Sequence, residues 1–141
     1  MKKIKIYFLD RKISLSDRRK LKLFIEELFI KEKKSLKSLV YVFCSDEYLI
    51  KINKEFLKHD VYTDILTFEL GYPGKETEGD IYISLDRVND NSKRLGLSVK
   101  EELHRVIFHG ALHLCGYKDK KKSEIKRMRK KEEEYLNKFF K

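Results

Sequence analysis

The sequence predicts an α+β fold: one domain over residues 1–141, with a small mixed four-stranded sheet packed by about five helices. Short runs that alternate apolar and polar residues are interspersed with longer segments whose apolar residues recur at helical spacing. No repeat, linker or composition break divides the chain. Its 141 residues suit one domain able to bury a real core.

Ile4, Ile6 and Phe8 alternate with Lys3, Lys5 and Tyr7, which reads as a first strand. Leu21, Phe24, Ile25 and Leu28 then mark an amphipathic helix over about residues 16–33. The run Leu39, Val40, Tyr41, Val42, Phe43 is a more buried strand. Residues 46–57 look helical, with Leu49, Ile52 and Phe56 on one side. Residues 59–63 break that pattern, and residues 65–68 form a third strand. A loop follows through Gly71, Tyr72, Pro73 and Gly74, then a fourth strand over residues 80–85. Asp86 is placed to cap a helix that runs to Leu95 and ends at Gly96. Ser98 and Glu101 have capping-box spacing and open the next helix, whose buried faces carry Val106, Ile107, Ala111 and Leu114. Residues 123–140 form a last helix in which Glu132, Glu133 and Glu134 answer Arg129 and the neighbouring lysines.

Composition narrows the function classes. Hydrophobic residues make up 41%, with eight Tyr and nine Phe, which excludes a disordered chain. Lys and Arg number 33 against 23 Asp and Glu, a net +10 that favours polyanionic partners such as nucleic acid. Two cysteines, Cys44 and Cys115, cannot make a disulfide framework and point to a reducing cytoplasm. Met1, Lys2 and Lys3 imitate a signal peptide, but Lys5 and the charged residues 10–12 interrupt the apolar stretch. No segment is long and apolar enough to span a bilayer.

His109 and His113 carry the chemistry. Four residues at about 100° each return to nearly the same helix face, so both imidazoles can address one ion. Gly116 can end that helix in a left-handed turn and let the chain bring back Asp119 as a third, oxygen ligand. Three ligands leave positions open for water or substrate. The plainer alternative makes the two histidines core residues bonded to carbonyls and Asp119 a helix cap. Gly110 stands where zinc proteases place a catalytic Glu, which disfavours peptide hydrolysis. His104 is turned off the ligand face, His59 falls in a loop, and Cys115 reads as a small buried residue.

The nine residues 109–117, His-Gly-Ala-Leu-His-Leu-Cys-Gly-Tyr, resemble the signature of the YbeY family of rRNA-maturation endoribonucleases. Two further blocks agree in order and spacing. One joins Ile52, Asn53, Lys54, Glu55 and Phe56 to Asp60 and residues 63–68; the other covers residues 79–84. The resemblance implies a zinc-dependent, single-strand-directed RNase acting in small-subunit rRNA processing and ribosome quality control. Its metal ligands map onto His109, His113 and position 119.

Two departures stand out. The family's third ligand is His, whereas this chain has Asp119, with Lys118 where an Asp is common. Two His and one carboxylate also suit non-haem iron, so one divalent ion is expected, zinc first. The Arg that usually follows the Asn-x-x-aromatic run is Leu57, and Lys58 or Lys118 are candidates to supply its charge. Lys118, Lys120, Lys121 and Lys122 form the candidate RNA-binding cluster, on ribosomal RNA or the small subunit. The competing class is a non-catalytic RNA-binding assembly factor with a structural metal.

Overall fold

The computed structural model describes residues 3–57 and 63–141. Strands β1 (Ile4–Phe8), β2 (Leu36–Cys44), β3 (Ile65–Glu69) and β4 (Thr77–Ser84) form one sheet in the order β1-β2-β4-β3. The first three strands in that order run parallel, and β3 closes one edge antiparallel to β4. The helices among the described residues are α1 (Arg18–Lys31), α2 (Asp46–Ile52), α3 (Leu85–Leu95), α4 (Val99–Leu114) and α5 (Lys122–Phe139). The mixed four-stranded α+β architecture expected from the sequence is therefore the one observed.

Strand periodicity sorts the side chains between two faces. Leu39, Tyr41 and Phe43 of β2, with Ile81 and Ile83 of β4, join the main core under α1, α4 and α5. Their alternates build a smaller cluster on the other face, where Cys44, Leu66 and Tyr82 meet Leu49 and Ile52 of α2. Tyr41 ties the main layers together, since its buried hydroxyl donates to the Ile107 carbonyl of α4 at 2.8 Å.

Two local readings change. The segment expected as one helix over residues 46–57 is α-helical to Ile52 and then widens into a π-helical stretch, Asn53–Leu57. Asp86 does not cap α3. Ser84, the last residue of β4, comes first and accepts from the Arg87 amide, which leaves Asp86 to accept from the Asp46 amide and Arg11.

Gly110 sets the position of α4. A Cβ there would lie 2.9 Å from Cδ1 of Ile81 and 3.0 Å from Cδ1 of Ile65, so the missing side chain lets the helix press on β4 and β3. The turn before and the turn after Gly110, which carry His109 and His113, are thereby brought against the β3 edge of the sheet.

Candidate metal centre

Helix α4 begins as the capping-box spacing suggests, with the Ser98 hydroxyl accepting from the Glu101 amide at 3.0 Å. It ends in a Schellman turn. The Gly116 amide donates to the His113 carbonyl and the Tyr117 amide to the Leu112 carbonyl, both at 3.0 Å, while Gly116 takes φ +105. Tyr117 anchors the reversed chain by donating its hydroxyl to Glu32 at 2.7 Å. The chain then runs back past the end of α4 and presents Asp119.

The three expected ligands converge. Asp119 Oδ2 lies 3.2 Å from His109 Nε2 and 3.3 Å from His113 Nε2, and the donor atoms all lie within 4.8 Å of one another. The rings meet nearly edge to face, with centroids 4.6 Å apart. Two imidazole nitrogens and one carboxylate oxygen, each half-buried, fit a divalent ion with open positions. Neither half of the plainer alternative describes these residues. Helix α5 is capped by the Glu124 side chain, which accepts from the Lys120 and Lys121 amides, so Asp119 caps nothing there. The histidine bonded to a main-chain carbonyl is instead His104, buried beside Phe139 with Nδ1 2.7 Å from the Lys100 oxygen.

Behind His109 stands a residue the sequence reading missed. Glu132, expected to answer Arg129 and the lysines of its own helix, is 2% exposed, and its Oε2 lies 2.5 Å from His109 Nδ1. Its other oxygen accepts from Arg105 Nη1 at 3.0 Å. Arg105 also donates to both oxygens of Glu102, which is 0% exposed. Met128, Glu132, Tyr135 and Phe139 form the buried stripe of α5, so Glu132 occupies a core position. Burial acts to raise the Glu132 carboxyl pKa, but the His109 hydrogen bond and the charges of His109 and Arg105 outweigh it and hold it low. Asp64 behaves oppositely: burial raises its carboxyl, and Arg105 and His109 only partly oppose the rise.

The three donors open into a cleft of about 850 Å³ between β3 and the start of α5. Lys120 and Arg129 line it, whereas Lys118 lines a separate hollow with Glu32 and Arg127. Lys121 and Lys122 are exposed at the start of α5 and do not line the cleft. Lys58, His59 and Asp60 lie outside the described residues. The exposed positive charge beside the site thus comes from Lys120 and from Arg129, whose contact to Glu132 is a loose 3.6 Å, whereas Arg105 is buried and held closely by Glu102 and Glu132.

The family described as Endoribonuclease YbeY matches residues 5–140. A relative of that name from Cytophaga hutchinsonii is 47% identical over 139 residues, covering 97% of each chain. Another from Porphyromonas gingivalis is 49% identical over 113 residues, 80% of this chain and 74% of its own. The solution structure of TM1509 from Thermotoga maritima superposes with a TM-score of 0.62 at 26% identity, covering 97% of this chain and 89% of that one.

Proposed function

Because this chain belongs to the Endoribonuclease YbeY family, we propose that it is a metal-dependent endoribonuclease acting on single-stranded ribosomal RNA during small-subunit maturation and quality control. The observation that carries the reading is the convergence of His109 Nε2, His113 Nε2 and Asp119 Oδ2 on one point of an open cleft. His109, His113 and Asp119 would hold one divalent ion, zinc first. A structural ion would be closed off by a full protein ligand set, so the openness favours catalysis over a bracing role. The net charge of +10 supports a polyanionic substrate. Two free, buried thiols suit a reducing cytoplasm, and no helix of the described residues is long and apolar enough to cross a membrane.

A divalent ion held by His109, His113 and Asp119 would supply Lewis acidity for phosphodiester cleavage. The chain's own residues do the rest. Arg129 and Lys120 stand where they can neutralise the phosphate as charge builds in the transition state. The β3 edge and α5 rise on either side of the donors, so the phosphate must descend between them. An unpaired strand bends into such a cleft at less cost than a stiff duplex.

The test is cleavage of single-stranded and duplex RNAs of equal sequence by purified protein. The single strand should be cut, chelation should stop the cutting, and added zinc should restore it. Binding to the single strand should weaken steeply with salt, by a log–log slope of about −0.7 for each phosphate contacted. Binding with no metal-dependent cleavage would favour a non-catalytic RNA-binding role.

A further inference from the structure

We infer that Glu132 is a positioning residue for the metal: its buried carboxylate fixes the tautomer and orientation of His109, and Arg105 fixes Glu132. The inference rests on the metal reading proposed above. A neutral imidazole carries one N–H and one lone pair. With Glu132 Oε2 2.5 Å from Nδ1, the proton belongs on Nδ1, and the lone pair of Nε2 faces Asp119 at 3.2 Å. A carboxylate at Nδ1 also holds the ring in one orientation, which strengthens the hold of Nε2 on a cation.

The carboxylate is itself held still. Oε1 accepts from Arg105 Nη1, and the Arg105 guanidinium is gripped on its other edge by both oxygens of Glu102. Glu102 and Glu132 are both buried, and Met128 and Tyr135 hold the α5 stripe around Glu132 in the core. An unbroken chain of charge-assisted hydrogen bonds therefore runs from Glu102, three residues before Arg105 on α4, through Glu132 of α5 and back to Nδ1 of His109, across the ring from the metal-facing Nε2. A buried ion pair alone accounts for Glu102 and Arg105, which meet one turn apart on α4. It does not account for the second oxygen of Glu132, which meets an imidazole rather than the guanidinium.

The experiment compares wild-type protein with Glu132→Ala and Glu132→Gln. Zinc affinity is measured by competition with a chromophoric chelator. The His109 tautomer is read in metal-free protein by long-range ¹H–¹⁵N NMR at alkaline pH, where imidazoles are neutral. Wild-type His109 should be the Nδ1–H form. Glu132→Ala should mix the tautomers and weaken zinc binding by about 10- to 100-fold, with Glu132→Gln in between. A folded Glu132→Ala protein with wild-type affinity or the wild-type tautomer would overturn the inference. Should Glu132→Ala fail to fold, the near-isosteric Glu132→Gln decides: unchanged affinity together with an unchanged tautomer overturns the role. Failure of wild-type protein to bind zinc strikes the metal reading instead, and the metal-free tautomer still reports whether Glu132 orients the ring.

Discussion

His113→Ala is expected to abolish metal uptake and to cut RNA cleavage by roughly a thousandfold or more. The two imidazoles and Asp119 are the one His/Cys/Asp/Glu group among the described residues whose donor atoms converge this closely. Removing one donor leaves two, too few to hold a labile divalent ion against water. The fold should survive, because the His113 side chain is 27% exposed at the last turn of α4 and carries none of the core. Metal content after dialysis, turnover and thermal unfolding are measured on the same preparation. A variant that keeps both its ion and its cleavage would remove His113 from the site.

Arg105→Met should have the largest effect on stability, a loss of about 3–5 kcal/mol at neutral pH. The guanidinium is the shared partner of Glu102 and Glu132, both buried, and a thioether of similar length answers neither charge; Glu102 loses its ion pair outright, whereas Glu132 keeps His109 and the longer contact to Arg129. In wild-type protein the Glu132 carboxyl is held below its ordinary value, so it contributes stability above the usual carboxylate range that is lost as pH falls through its folded pKa. Without Arg105 the burial that raises the Glu132 carboxyl is less opposed, so less of that stability is there to lose on acidification. The gap between wild type and variant should therefore narrow as pH is lowered. Adding Glu102→Gln should return part of the loss, because the buried charge that lost its ion pair is then gone. Denaturant unfolding at two pH values and of the double variant provides the check, and a loss under about 1 kcal/mol would mean that these charges are solvated.

What could be read from the sequence was what local geometry determines. The spacing of His109 and His113, the glycine at 116 and the six-residue reach to Asp119 all act within three helical turns, and each is found as expected. The capping serine of α4 and the period-two strands are local in the same sense. Long-range packing supplied what was missed. Glu132 is 23 residues from His109, and only its place in the stripe with Met128 and Tyr135 could have shown that it faces inward among charged neighbours. Asp64 and Arg105 join the cleft because β3 is an edge strand beside α4, a matter of strand order rather than of spacing. The lysine cluster was divided for a related reason. The direction of the turn sends Lys120 into the cleft and Lys118 to the far side, which composition could not foretell.

The most direct measurement is a crystal structure of zinc-loaded protein with an anomalous difference map at the zinc edge. A single strong peak is expected about 2.0–2.2 Å from His109 Nε2, His113 Nε2 and one Asp119 oxygen, with at least one further position facing the cleft. A peak elsewhere, or none with the three groups turned apart toward separate partners, would contradict it.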